Sequence, residues 1–203
     1  MPATQPLYST IHRTPIGELT LIASHRGLRA ILWPKETPQR TGIQARVRRM
    51  PDHPVLRQTA DQLDEYFFGR RTHFDVPLDL EGTRFQLAAW RALADIPFGA
   101  TATYGEQARA LGVPTAARAI GAANRVNPVC IVLPCHRVIG ANGALTGFAG
   151  GLAVKQWLLD HEARVVNTPP PSEEGRAGAR SIDSSRTWPS HRPTQQRLSM
   201  PVA

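Results

Sequence analysis

The sequence predicts an α/β amino-terminal domain, a small antiparallel sheet plus a helix, followed by a mainly α, helix-turn-helix, winged-helix-like carboxyl-terminal domain. Three observations carry this. Between Leu7 and Trp33 apolar and polar residues alternate in short runs, the period of half-buried strands. After Gly82 the period becomes helical. Two short helices then meet across a turn at Gly112, the outline of a helix-turn-helix.

Taken in order, Leu19, Leu21 and Ala23 alternate with Thr20, Ile22 and Ser24. Gly27 marks a turn, and Leu28 to Trp33 forms a third run. Pro34 to Pro51 is polar, basic and rich in turn formers, so it reads as a loop. His53 to Phe68 reads as a helix. Val55, Leu56, Leu63, Tyr66 and Phe67 recur at helical spacing, and Gly69 is a natural stop. Phe74 to Leu80 alternates as one more strand. These elements define a first domain over 1–81. Its histidines, His12, His25, His53 and His73, set no metal spacing.

The second domain, 82–167, opens with Thr83 capping a helix whose apolar side carries Phe85, Leu87, Ala88, Trp90, Leu93 and Ala94. Thr103 and Glu106 form a capping box for a helix that Gly112 stops. Pro114 and Thr115 then cap a small-sided helix over Ala116 to Asn124. Small side chains let a backbone approach another surface closely, and Arg118 lies in the first turn, where recognition helices meet bases. An alanine-rich core helix with Arg118 in water fits the same residues, and both readings stay open here. A last amphipathic helix spans Leu152 to Glu162, with Val154, Trp157, Leu158 and His161 near one stripe.

The chain has 203 residues and a net charge of +8. Only Lys35 and Lys155 are lysines; every other basic side chain is Arg. A basic, Arg-rich protein suggests an anionic partner, nucleic acid first. No apolar stretch approaches membrane-spanning length, and Met1 to Thr10 lacks the charged and apolar segments of a leader peptide. The only cysteines, Cys130 and Cys135, are too close along the chain for a structural staple. A reducing cytoplasm is expected. From Thr168 the composition turns to Ser, Pro, Gly and Arg, so 168–203 is expected to be a disordered tail.

The chemistry gathers in Ile131-Val132-Leu133-Pro134-Cys135-His136-Arg137-Val138-Ile139-Gly140. An apolar run leads to a turn at Pro134, and a thiol, an imidazole and a guanidinium follow. A cysteine beside an apolar run is commonly an inert core residue. Neighbouring His and Arg push a thiol toward thiolate, the nucleophilic form. Cys130 has no adjacent His and is expected to be silent.

Pro134-Cys135-His136-Arg137-Val138 resembles the hallmark of the O6-alkylguanine-DNA alkyltransferases of bacterial type. The resemblance extends over Tyr104, Ala116 to Gly121, Asn127-Pro128, Gly147 to Gly151, and Lys155 to Glu162, in order from about Thr83 to Glu162. Leu7 to Leu80 is similar in outline to the family's amino-terminal domain. The resemblance implies that Cys135 accepts an alkyl group from guanine O6, that His136 acts on it through a water, and that Glu162 orients His136. It implies that Tyr104 donates toward guanine N3 and that Arg118 fills the stack vacated by a flipped base. Thr115, Ala117, Ala119, Gly121, Asn124 and Arg125 would meet DNA. Asn127, Val138, Phe148, Ala149 and Gly150 would line the base pocket. The implied partner is double-stranded DNA containing O6-alkylguanine, with O4-alkylthymine as a second lesion. The protein would be a monomer with no cofactor, no metal and no membrane contact, cytoplasmic and at the nucleoid.

The chain departs from the pattern at three places. Ala149 stands where some members bear Ser, Phe148 where others bear Tyr, and Asn124 where some carry Met beside the flipped base. No cysteine precedes Cys130, so the amino-terminal zinc of some members is not expected. A non-catalytic helix-turn-helix sensor or regulator of alkylated DNA is the alternative, against which the presence of Cys135 argues. A thiol hydrolase is disfavoured because an S-methyl thioether offers water no acyl carbon.

Overall fold

The protein is described here by a computed structural model covering residues 5–168, so the expected tail lies, from residue 169 on, outside the described residues. Strands β1 (Leu7–Thr14), β2 (Gly17–Ala23) and β3 (Leu28–Leu32) form an antiparallel meander. The full sheet order is β3-β2-β1-β4, because β4 (Val47–Arg49) pairs parallel with β1. Alternation decides which side chains enter which layer. Leu19, Leu21 and Ala23 face helix α1 (Pro54–Phe67) and the main core, while Ile22 joins Leu7, Ala30, Leu32 and Ile43 in a small cluster on the other face.

Two expectations for this half are corrected. The stretch read as a loop, Pro34 to Pro51, contains a 3-10 turn at Pro38–Thr41 and strand β4. Val47-Arg48-Arg49 has no alternation to reveal it; the edge of β1 supplies the backbone partners. The stretch read as a strand, Phe74 to Leu80, makes only one bridge, between Leu28 and Leu78. Pro77 has no amide hydrogen and contributes its carbonyl to Leu28 instead, at 2.7 Å.

Helix α2 (Arg84–Ala92) opens on a complete Thr83–Gln86 capping box. Its inward face is set by Ala89 and Trp90 with Leu93 beyond the helix end, whereas Ala88 and Ala94 are exposed, contrary to the apolar side drawn from the sequence. Strand β5 (Ala102–Thr103) leads into α3 (Tyr104–Ala110), whose Thr103–Glu106 capping box is complete; Gly112 ends it at φ 72°. Helix α4 (Ala117–Arg125) begins later than expected: Ala116 holds the cap position, and Pro114 and Thr115 stay in the preceding turn. After α4 come a buried turn, β6 (Val138–Ile139) parallel to β5, and α5 (Leu152–Asn167). One apolar core joins Leu19, Leu21 and Tyr66 to Trp90, Ile131 and Leu158, so both halves fold against each other.

Candidate active site and nucleic-acid interface

Residues 127–134 form a compact knot that carries the thiol. Asn127 ties its ends together: its Nδ2 donates to the Leu133 carbonyl at 2.8 Å, and its Oδ1 accepts from the Val129 amide at 3.1 Å. Ile131 adopts φ 76°, a conformation that costs a β-branched residue energy and that the surrounding burial enforces. Cys135–Arg137 then makes one 3-10 turn. Cys135 is buried with the rest of the run, at 5% exposure.

Helix α5 brings Glu162 under this turn, with no solvent exposure. Five hydrogen bonds converge on its carboxylate. Tyr66 Oη donates at 2.8 Å, His136 Nε2 at 2.7 Å, the Gly99 amide at 3.0 Å, and Arg137 Nε and Nη2 at 2.9 and 3.1 Å. Burial alone would raise the carboxyl; the bonds from His136 and Arg137 outweigh it and hold its pKa at about 2. A charged carboxylate only accepts, so His136 Nε2 must carry the ring hydrogen. That leaves Nδ1 as a lone pair, and Nδ1 is buried with no partner. Burial pulls the imidazole below its ordinary value, and the pull of Glu162 in the other direction does not make up the difference. His136 is therefore a neutral base with its open nitrogen available.

Lys155, on the same helix as Glu162, is also fully buried. Its Nζ donates to the carbonyls of Val138 at 2.5 Å and Thr146 at 2.9 Å. Burial lowers its pKa, opposed by the negative sulfur of Cys135. The ammonium thus ties β6 and the following loop to α5. The Thr146 carbonyl also accepts from the Tyr104 hydroxyl at 3.3 Å, and Thr146 Oγ1 lies 3.2 Å from that hydroxyl. Phe148 packs edge-on against Trp33 at 5.4 Å and against His136 at 6.4 Å. A side chain at Gly150 would strike the Trp33 ring at 2.8 Å, so the loop lies flat on that ring. Ala149 is half-buried beside it.

In front of Tyr104 opens a groove of about 620 Å³ between α3, α4 and the 141–147 loop, lined among others by Arg109, Ala117, Arg118, Gly121 and Arg125. Arg118, Ala119 and Arg125 are exposed, and Thr115 is exposed on the adjacent turn. Asn124 is corrected: it is buried, and its Nδ2 donates to Gln107 Oε1 at 2.7 Å, so it locks α4 onto α3 and does not face the groove. Asn127 is corrected likewise: with no exposure, it holds the thiol's turn and is not a wall of the pocket. Val138 is also fully buried, leaving its backbone as the part that can meet a ligand.

Sequence reasoning missed Tyr66, Gly99, Trp33 and the structural role of Lys155. Lys155 was findable: it is spaced three and seven residues from Leu158 and Glu162, the buried stripe of α5. Tyr66 and Gly99 come from distant elements, and no local pattern points to Glu162. Two of the scattered histidines do meet. The His25 and His53 rings lie 5.6 Å apart beside Tyr8, whose hydroxyl is 3.1 Å from His25 Nε2.

A buried Cys-His-Glu arrangement behind a basic, small-sided helix groove defines a DNA-binding protein with its own nucleophilic thiol. Residues 84–164 match the DNA-binding domain of 6-O-methylguanine DNA methyltransferases, and residues 7–80 match their ribonuclease-like domain. The chain belongs to this family. Methylated-DNA–protein-cysteine methyltransferases from Methanosarcina acetivorans and Mycobacterium tuberculosis are similar to it. The first is 44% identical over 77% of this chain and 98% of its own length, the second 48% over 76% and 91%. The crystal structure of M. tuberculosis OGT in complex with DNA superposes with a TM-score of 0.69 at 43% identity, covering 78% of this chain and 93% of that one. The M. tuberculosis O6-methylguanine methyltransferase structure gives 0.72 at 41%, covering 84% and 99%.

Proposed function

We propose that the protein repairs O6-alkylguanine in double-stranded DNA, with Cys135 as acceptor. Methyl transfer from DNA to a protein cysteine is the activity of its family and of this chain. In the reading favoured here, α4 enters the minor groove, Arg118 takes the place of the flipped nucleotide, and the base enters beside Tyr104 and Phe148. The Cys135 proton passes through a water to His136 Nδ1, and the imidazolium is balanced by Glu162. The thiolate attacks the alkyl carbon, the carbon–O6 bond breaks, and its electron pair stays on guanine, toward whose N3 the Tyr104 hydroxyl donates. The thioether formed is permanent, so each molecule acts once.

The observation that carries this reading is the partnerless, buried Nδ1 of an imidazole whose other nitrogen is fixed by a charged carboxylate, one residue from the Cys135 thiol. A cytoplasmic monomer, held at the nucleoid by its basic groove, is the acting form proposed. Residues 1–81 would support the site and 82–167 handle the DNA. The test is intact mass after incubation with duplex carrying O6-methylguanine, with O4-methylthymine duplex alongside. One methyl on Cys135 and a stop at one event per protein is the expected result. A methyl on another residue, or many turnovers per protein, overturns it.

A further inference from the structure

Cys130 has no place in the arrangement above, yet its Sγ lies 3.9 Å from Cys135 Sγ. It is 1% exposed, and the turn through Ile131 folds it back under the acceptor. Its second partner is the Asn127 carbonyl at 3.5 Å. While both are thiols, these distances let Cys135 donate to Cys130 Sγ and Cys130 donate to that carbonyl. Once Cys135 is a thiolate, its sulfur is the stronger acceptor, because hydrogen bonds to charged groups are roughly twice as strong as neutral ones. The Cys130 proton then turns to it.

We propose that Cys130 is a positioning residue for alkyl transfer, whose S–H donates to the Cys135 thiolate and holds that sulfur charged and aimed. The inference rests on Cys135 being the alkyl acceptor. The other groups facing the sulfur pair are the Lys155 ammonium from α5, the Arg40 guanidinium from the 3-10 turn after β3, Asn127 from the knot itself and, next in sequence, the His136 imidazole. The two thiols diverge accordingly. The bond from Cys130 holds the Cys135 thiol below its ordinary value against the effect of burial, and the same bond and burial push Cys130 well above its own. Cys130 therefore keeps its proton throughout the range in which Cys135 loses one.

The test separates this from the alkyl-transfer reading by using iodoacetamide, which needs no DNA. Its rate at Cys135, located by peptide fragmentation, is followed against pH in the wild type, Cys130→Ala and Cys130→Ser, beside methyl transfer from O6-methylguanine duplex. Cys130→Ala is expected to move the midpoint to higher pH. It should slow methyl transfer at neutral pH about tenfold, the scale of one hydrogen bond to a charged group, with recovery in alkali. Cys130→Ser keeps a donor and is expected to stay near the wild-type midpoint. Should Cys130→Ala not fold, Cys130→Val, donor-free and nearer in volume, is expected to shift the same way. An unchanged midpoint in the donor-free variants overturns the proposal, as does an equal shift in Cys130→Ser. Wild-type protein that takes no methyl on Cys135 defeats the alkyl-transfer reading instead, whatever the midpoints.

Discussion

His136 Nε2 and Glu162 Oε1 stand 2.7 Å apart, and neither residue has any solvent exposure. The carboxylate fixes the imidazole's tautomer and aims its open nitrogen, while burial keeps the ring neutral. His136→Gln removes the base and leaves the thiol less ionised near neutrality. Transfer is expected to slow at neutral pH and to recover in part in alkali, with DNA affinity close to wild type. In the wild type the acid limb of the rate profile should fall below pH 6.5, because the folded imidazole binds its proton less readily than a free one. A variant rate flat from neutral to alkaline pH would exclude the base role.

Glu162→Gln tests the same pair through stability. Every partner of Glu162 is a donor, so a Gln amide must present its own N–H to one of them, and the Arg137 charge loses its counter-ion. Breaking a buried pair in this way costs about 3–5 kcal/mol, or about 6–20 °C in melting temperature for a chain of this size. The depressed carboxyl also sets a sign. Its contribution is complete above the ordinary carboxylate value of 4.5 and is lost as pH falls toward about 2. Glu162→Gln should lack that acid limb. Melting curves in this pH range that coincide with wild type would remove Glu162 from the stability account.

The legible parts were those written locally. Thr83 and Thr103 announce their helices because a cap and its partner lie three residues apart, and Leu19, Leu21 and Ala23 announce β2 because apolar residues two apart share one face of a strand. Strand β4 was not legible, because its pairing comes from β1 across a gap of more than thirty residues and its Arg side chains point to water. The resemblance implied that Asn124 meets DNA, yet Gln107 from another helix turns it inward. Cys135, His136 and Glu162 were reached through resemblance; that Tyr66 and Gly99 hold the same carboxylate follows only from tertiary contact. Local chemistry is thus readable, whereas the partners that tune it are contributed by distant segments.

Tyr104→Phe is expected to slow transfer while leaving binding nearly unchanged, the pattern of an interaction felt mainly in the transition state. The substitution is mild for the fold. The ring stays against Gly121, and Thr146 loses only a partly exposed contact, its carbonyl still accepting from Lys155. Single-turnover rates and DNA affinities measured together decide it. A fall in affinity with an unchanged rate would make Tyr104 a DNA-positioning group.

Arg118 distinguishes a wedge from a sequence reader. It is exposed at the start of α4, at the rim of the groove that Tyr104 and Gly121 line. A cation in a helix's first turn is slightly unfavourable by itself, and DNA phosphates nearby would relieve it. A major-groove reader would lose discrimination of roughly 1–3 kcal/mol at one base pair when the side chain is removed. A wedge that replaces a flipped base has no sequence to read, and its value lies in holding the stack open. Arg118→Ala should therefore slow repair of a paired lesion far more than of the same lesion in single-stranded DNA, where little stacking must be broken. The salt dependence of binding should change by at most about one charge, since Arg109 and Arg125 still line the groove. Equal losses on duplex and single strand, or a sequence preference that disappears with Arg118, would count against base flipping by this side chain.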